Sequence, residues 1–347
     1  MLTVTISSME DESSRRSSWP LYLLGALFAA GVLLLAAWNI EIPYLAFSPG
    51  PVSDAADAIV AEEVDVYPPE GELLMLTLVS QDVNVFEAII VGIDPTIDLV
   101  RRDRVRPPDE SDEDYRERVL DQMDDSQQIS IAVALDHLGL GMVPTDVFIT
   151  DLGDDLPAAE VLQVGDSVDA LNGVPVIELS DLSDALEGLE AGDVIELQIT
   201  REGSVQYVEV ELAERQDEIG GPMIGISVRE LREPPFPISI DTGVVGGPSA
   251  GMMHTLAIID TLTLGELTKG HIIAGTGTIR ADGSVGNIGG VRQKVVGAEA
   301  AGADYVFVPE GNYEVALTAE RESIEIIPIA HVDEAIEFLE ALPAVSY

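Results

Sequence analysis

Alternating apolar and polar residues predict short strands in the middle of the chain. Residues 194–200 (VIELQIT) and 205–212 repeat with a period of two, as expected for strands that bury one face. Asn172 and Gly173 separate two other apolar segments, and this dipeptide is typical of tight hairpin turns. We therefore predict a β-rich module over residues 141–214.

An uncharged apolar segment near the N-terminus has the length of a membrane span. Residues 21–40 carry no charged side chain, and 20 helical residues extend over about 30 Å, the thickness of the hydrocarbon core. Arg15 and Arg16 precede the segment. Basic residues favour the inner side of a membrane, so residues 1–20 are predicted to be a cytoplasmic tail.

A cleaved signal peptide and a buried helix of a soluble domain are the alternatives for this segment. The apolar stretch is longer than the core of most signal peptides, and no small-x-small cleavage site follows it. We therefore predict a single-pass anchor over residues 21–40 in the cytoplasmic membrane. The domains that follow it are predicted to lie outside the cytoplasm.

The segments that flank the module mix strand and helix patterns. Residues 72–80 (ELLMLTLVS) resemble a strand, whereas residues 252–264 and 291–301 resemble helices. The predicted fold class is therefore α+β with several domains. A membrane-proximal α/β region is assigned to residues 44–140, and a last domain to residues 221–342.

The charge and composition exclude several classes of partner and cofactor. The net charge of −46 would repel nucleic acid and anionic lipid. It fits an acidic, solvated surface, or patches that bind substrate. The sequence has no cysteine, no histidine cluster with zinc spacing and no G-x-x-x-x-G-K-[ST] phosphate loop. It therefore predicts no metal, no cofactor and no ATPase motor in this chain.

A lysine on an apolar helix face and a serine in a glycine turn are the candidate catalytic pair. The chain has two lysines among its 17 basic residues, and Lys294 follows Ser249 by 45 positions. Val291 and Ala298 lie on the helix face of Lys294. Burial there would lower the lysine pKa, and a neutral lysine can accept a serine proton.

The turn around Ser249 indicates how a negative oxygen would be stabilised. Small residues from Gly246 to Gly251 place the serine at the start of a helix, where backbone N–H groups are free. Such groups could hold the oxyanion of a tetrahedral intermediate. Ala250 and Gly251 are the candidate donors.

Other interpretations of these residues exist. Gly-Pro-Ser-Ala-Gly also fits the nucleophile elbow of α/β-hydrolases, in which Asp304 and His331 would complete a triad with Ser249. Few residues follow Ser249 for that fold, however. We interpret His254 as a packed histidine rather than a base, and Lys269 as a solvated loop residue.

The last domain, over residues 222–342, resembles the proteolytic domain of Lon-type serine–lysine peptidases. The resemblance implies that Ser249 is the nucleophile, Lys294 the general base and Thr276 a supporting hydrogen-bond partner. Gly246 and Thr278 depart from the family, where Asp and Glu are frequent. The matching residues are Gly247 to Ser249, Ala250, Gly251, Thr276, Gly277, Val285, Ile288 to Gly290, Lys294, Ala300 to Gly302, Val308 and Pro309.

The β-rich module resembles a bacterial PDZ domain. The shared features are Gly165-Asp166, Asn172-Gly173 and the second hairpin. The loop that binds peptide carboxylates is approximated by residues 139–142. The whole layout is similar to the bacterial membrane-anchored PDZ–Lon proteins of the YlbL type.

The resemblance implies an ATP-independent, membrane-anchored serine endopeptidase that uses a Ser–Lys dyad outside the cytoplasmic membrane. Its expected partners are unfolded or flexible proteins and peptides, and a homo-oligomer is a further expectation because related Lon domains form rings. The alternative is a membrane-tethered adaptor protein whose PDZ-like module binds partners and whose peptidase domain is vestigial.

Overall fold

A computed structural model describes most of the chain. Its described residues are 19–39, 41–215, 220–243 and 245–345, without the side chains of 20, 21, 33–37 and 39. The predicted cytoplasmic tail therefore lies outside the described residues, apart from its last two positions.

The described residues form eight α-helices. Helix α5 begins directly after the serine turn, close to the predicted helix over residues 252–264. The helices are Trp19–Asn39 (α1), Val85–Val91 (α2), Asp112–His137 (α3), Leu179–Ala185 (α4), Gly251–Leu262 (α5), Val291–Ala300 (α6), Tyr313–Ala316 (α7) and Val332–Ala341 (α8). Among the described residues, no helix has both the length and the hydropathy of a membrane span.

Strands fall into two large sheets and three small pairs. In chain order they are Glu41–Asp54 (β1), Ile59–Ala61 (β2), Glu72–Asn84 (β3), Asp98–Arg101 (β4), Val143–Leu152 (β5), Ser167–Leu171 (β6), Val174–Pro175 (β7), Val194–Arg201 (β8), Ser204–Glu211 (β9), Ala213–Glu214 (β10), Pro222–Met223 (β11), Ile226–Glu233 (β12), Ile238–Ile240 (β13), Ile272–Gly275 (β14), Thr278–Ile279 (β15), Val285–Gly286 (β16), Tyr305–Pro309 (β17) and Glu325–Ile329 (β18).

The main sheet joins the two segments that flank the β-rich module. Its order is β18-β17-β14-β3-β1-β4, with β3 parallel to β14 and antiparallel to β1. The predicted separate region over residues 44–140 is therefore part of the same body as the last domain. The cause is β3. Its continuous apolar run requires cover on both faces, and one of its two partner strands, β14, follows the module in the chain.

Successive residues of β3 pack in different cores on the two faces of the main sheet. Leu73 and Met75 belong to a cluster built with α3, α5 and α8. Leu74 and Leu76 belong to a second cluster built with α6 and α7. The period of two along the strand thus produces a helix–sheet–helix sandwich.

The β-rich module has its own sheet and core. Its strand order is β12-β5-β6-β8-β9, with β7 beside β6, and its core is separate from the other two. Both predicted hairpins are confirmed, with turns at Asn172-Gly173 and Glu202-Gly203 in which each φ is positive.

The C-terminal limit of the module differs from the prediction. Strand β12 pairs with β5, so the sheet extends past residue 214, and residues 226–233 do not belong to the last domain. The alternation of β12 is weak because most of its side chains are exposed or only partly buried. Its membership therefore depends on backbone pairing rather than on an apolar pattern.

Candidate active site

Ser249 lies in a 3-10 turn, Pro248–Ala250, that leads into α5. The turn depends on Gly247, whose φ of 90° and ψ of 150° are strained for any side chain. The N–H of Gly247 donates to the carbonyl of Val119 in α3 at 2.7 Å. Helix α3, from before the module, therefore fixes the turn that presents the serine.

Helix α3 also holds the turn through two buried serines. Ser126 Oγ donates to the Pro248 carbonyl at 3.2 Å, and Ser130 Oγ donates to the Gly251 carbonyl at 3.0 Å. Sequence reasoning missed both residues. Their signal was a pair of hydroxyls four positions apart on the apolar face of a helix, which must find partners when buried.

Gly251 is required for packing rather than for the oxyanion. A Cβ at this position would lie 2.7 Å from both Ile279 Cγ2 and Ser126 Oγ. Its N–H already donates to the carbonyl of Pro248, so the structure contradicts its prediction as a free oxyanion donor. The same role for Ala250 stays a prediction.

Lys294 reaches Ser249 from α6. Its Nζ atom donates to Ser249 Oγ at 2.7 Å and to Thr276 Oγ1 at 2.8 Å. Only 2% of the lysine is exposed, and Val291 and Ala298 on the same face are buried. The predicted apolar environment of Lys294 and its approach to Ser249 are therefore present.

Burial lowers the pKa of Lys294 to about 7. The cause is the loss of hydration of the ammonium group, because a charge is costly in an apolar environment. At neutral pH a large fraction of Lys294 is therefore uncharged and carries a lone pair. A lysine in this state can act as a general base, which an arginine cannot do.

Thr276 orients both members of the pair. It follows β14, and its hydroxyl accepts from Lys294 Nζ while donating to the Ser249 carbonyl at 3.0 Å. The N–H of Gly277 donates to the same carbonyl at 2.8 Å. The neutral amine can then donate one N–H to Thr276 and direct its lone pair to the hydroxyl of Ser249.

The pair opens into a cleft with a volume of about 570 Å³. Its walls come from β1, β3 and α3 as well as from the serine turn and α6. The lining residues are Phe47, Pro51, Leu76, Thr77, Leu78, Ser80, Arg104, Val105, Tyr115, Val119, Met123, Val245, Gly246, Gly247, Ser249, Ala250, Gly289 and Lys294. The contributions of β1, β3 and α3 to the cleft walls were not predicted from the sequence. These elements come close to Ser249 only because of the order of strands in the main sheet.

The alternative triad does not form. Asp304 Oδ2 lies 3.3 Å from His271 Nδ1, and His331 Nε2 lies 2.7 Å from the carbonyl of Asp282. Neither residue contacts Ser249, so the α/β-hydrolase interpretation is wrong. The order of these residues in the sequence carried no information about their positions.

The remaining histidine and lysine candidates have structural positions. His254 is fully buried on α5, and burial lowers its pKa to about 4. It is a packed histidine, as predicted. Lys269 Nζ donates to the carbonyls of Glu340 and Leu342. Lys269 therefore ties the end of α8 to the body and is not merely a solvated loop residue.

The β-rich module has an edge strand beside α4. Strand β12 lies at one edge of the sheet, and its Glu230 side chain accepts from the N–H of Leu179, the first residue of α4, at 2.8 Å. Residues 139–142, which approximate the carboxylate loop, precede β5, which is paired on both edges. An added strand requires a free edge, so a peptide could not pair with β5 beside this loop.

Comparison with known proteins defines the class of two parts of the chain. Residues 238–342 match the Lon protease (S16) C-terminal proteolytic domain, and residues 122–212 match the PDZ domain. The chain thus carries a Lon-type serine peptidase domain and a PDZ domain. Ser249 and Lys294 lie within the first match, and strand β12 lies between the two matches.

Individual relatives match over the peptidase part. The Lon protease of Mycoplasma mobile is 38% identical over 96 residues, which are 27% of this chain and 11% of that protein. The Lon protease of Trichlorobacter lovleyi is 36% identical over 101 residues, 28% of this chain and 12% of that protein. The chain therefore corresponds to only a small part of the length of these relatives.

The archaeal Lon protease of Halobacterium salinarum is 32% identical over 97 residues, which are 27% of this chain and 14% of that protein. Among solved structures, the PDZ domain of the SdrC-like protein of Listeria monocytogenes is 26% identical. The match covers 24% of this chain and 85% of that structure, with a TM-score of 0.22.

Proposed function

We propose that this protein is an ATP-independent serine endopeptidase that cleaves unfolded or flexible protein segments. The observation that carries the proposal is the distance of 2.7 Å between Lys294 Nζ and Ser249 Oγ in a buried environment. A serine hydroxyl is a weak nucleophile, and a neutral amine at this distance can activate it.

The reaction begins when the lone pair of Lys294 takes the proton of Ser249. The serine oxygen attacks the carbonyl carbon of a peptide bond and forms a tetrahedral intermediate, whose oxyanion is stabilised by backbone N–H groups of the serine turn. The protonated lysine then gives its proton to the leaving amine. Water, deprotonated by Lys294, hydrolyses the ester that remains on Ser249.

Two features of the chain support independence from ATP. The sequence contains no G-x-x-x-x-G-K-[ST] loop. The cleft walls come from β1, β3 and α3 of the same chain. A peptidase without a motor has no force to unfold its substrates, so it would favour segments that are already extended.

The proposed location is the outer side of the cytoplasmic membrane. The uncharged segment over residues 21–40, and the arginines that precede it, support an anchor with the N-terminus inside. With a PDZ domain and a Lon-type domain after it, this layout resembles that of the membrane-anchored PDZ–Lon proteins of the YlbL type. A homo-oligomer is a further element of this proposal.

Labelling with a fluorophosphonate tests the peptidase. The detergent-solubilised full chain, Ser249→Ala and Lys294→Arg are compared for labelling and for cleavage of unfolded casein, each with and without ATP. Labelling of the wild type alone, and cleavage that ATP does not change, are expected. Cleavage only in the presence of ATP would contradict independence from a motor, and equal labelling of Ser249→Ala would contradict the nucleophile.

A second candidate function is that of a membrane-tethered PDZ-type adaptor protein with a vestigial peptidase domain. The edge strand β12 beside α4 supports it, because an extended peptide can pair with such a strand. It predicts peptide binding that Ser249→Ala leaves unchanged, together with no labelling of the folded wild type. Labelling that depends on Lys294 would argue for the peptidase instead.

A further inference from the structure

The active-site cleft contrasts in charge with the rest of the chain. The chain has 63 Asp and Glu residues against 17 Lys and Arg. Among the described residues, 18 line the cleft; none of these is a carboxylate, and their two charged members are Lys294 and Arg104, both basic. A carboxylate in this wall would stabilise the protonated form of Lys294, so its absence suits a neutral base.

Arg104 ends a short turn, Arg102–Arg104, between β4 and α3. Its side of the cleft is formed with Val105, Tyr115 and Val119. The residue is exposed and lines the same cleft as Ser249 and Lys294. A substrate segment that lies in the cleft therefore passes Arg104.

Neighbouring arginines are neutralised by carboxylates, whereas Arg104 is not. The pairs are Arg101 with Asp103, Arg102 with Asp82, Arg106 with Asp112 and Arg118 with Glu110. Across the described ranges, no carboxylate oxygen lies within 4.0 Å of the side-chain nitrogens of Arg104. The N–H groups of the Arg104 side chain are therefore available to a carboxylate from a ligand.

We propose that Arg104 forms a subsite for an acidic side chain of the substrate, so that this peptidase prefers Asp or Glu at one position near the cleaved bond. The inference rests on the proposed peptidase function and adds a substrate class to it. A guanidinium presents two parallel N–H groups to a carboxylate, which favours an acidic side chain over a neutral one at this position.

The test is a set of quenched fluorescent peptides in which each position around the cleaved bond carries Glu or its isostere Gln. The ratio of kcat/KM for Glu over Gln is measured at each position for the wild type, Arg104→Gln and Arg104→Lys. Arg280→Gln, at an exposed position directly after β15 and outside the cleft lining, is the matched control because it changes the net charge equally. Thermal unfolding confirms that each variant is folded.

At one position the ratio is expected to fall about fivefold in Arg104→Gln, in line with a single charged contact at a partly solvated site. Arg104→Lys should retain part of the preference for Glu, and Arg280→Gln should leave the ratio unchanged. A change below about twofold at every position would overturn the proposal, as would an equal change in Arg280→Gln. Absence of any cleavage, together with no fluorophosphonate labelling, would instead overturn the peptidase function itself.

Discussion

Lys294 Nζ lies 2.7 Å from Ser249 Oγ although 45 residues separate them along the chain. The amine makes its other hydrogen bond to a neutral hydroxyl, that of Thr276. The charge of a protonated Lys294 therefore has hydroxyl partners but no carboxylate within the cleft wall. This arrangement favours the neutral amine and determines how the site responds to pH and to substitution.

Activity should rise with pH through a midpoint near the pKa of Lys294, about 7. Below this pH the lysine is protonated and cannot accept the proton of Ser249, and above it the base is competent. The rate of fluorophosphonate labelling between pH 5 and 9 measures the midpoint. A midpoint close to the ordinary lysine value of about 10.4 would contradict the role of burial.

Lys294→Met should abolish labelling and yet stabilise the fold. Folding lowers the lysine pKa from 10.5 to about 7, so between these values the unfolded chain binds more protons. The wild type therefore loses stability as pH falls from about 10 to 7, and the cost stays constant below 7. The variant removes this cost, which is about 4 kcal/mol or less near pH 7.

Urea denaturation of both proteins at pH 7 and pH 9.5 measures this difference. The advantage of Lys294→Met should be larger at pH 7 than at pH 9.5. The difference in the free energy of unfolding between Lys294→Met and the wild type could instead be the same at both pH values. That result would mean that the lysine is not desolvated in the folded protein.

Thr276→Val should lower the rate of labelling roughly tenfold to hundredfold, because small displacements of reacting groups are costly. The substitution removes the acceptor for Lys294 Nζ and the donor to the Ser249 carbonyl. Thr276→Ser keeps both bonds and is the control that should restore most of the rate. Equal rates in Thr276→Val and the wild type would show that Thr276 does not position the pair.

Gly251→Ala should destabilise the fold by about 1–3 kcal/mol, as overpacking in a core does. The added Cβ would lie 2.7 Å from Ile279 Cγ2, and 3.1 Å from the Ile279 backbone nitrogen, which cannot easily move away. Gly297→Ala on α6 is the control, because its nearest neighbour would lie at 3.8 Å. Thermal unfolding should rank Gly251→Ala well below both the wild type and the control.

The buried environment of Lys294 and the hairpins could be predicted because their signals are local. Asn172 and Gly173 have the positive φ values that their turn requires, and Lys294 shares a helix face with small apolar residues. The walls of the cleft could not be predicted in this way. Val119 and Ser126 reach the serine turn only because α3 packs on α5, and no local pattern specifies that contact.

The C-terminal limit of the module and the pairing of β3 with β14 could not be predicted for a related reason. A strand that is paired through its backbone leaves little trace when its side chains are exposed, as β12 shows. A strand buried on both faces, such as β3, has a clear pattern, but the pattern does not say which later segment will lie beside it. Pairing across a long insertion is decided by the complete sheet.

The position of β3 has a consequence for the order of folding. Glu72 of β3 pairs with Ile272 of β14. The pairing of these two strands therefore cannot form until 200 further residues have been synthesised. The PDZ domain, with its own core, can fold in the interval. Contacts this distant in sequence form slowly, and the apolar residues 73–76 of a nascent chain would stay uncovered meanwhile. A chaperone that shields this segment until translation ends would then determine the yield of active enzyme.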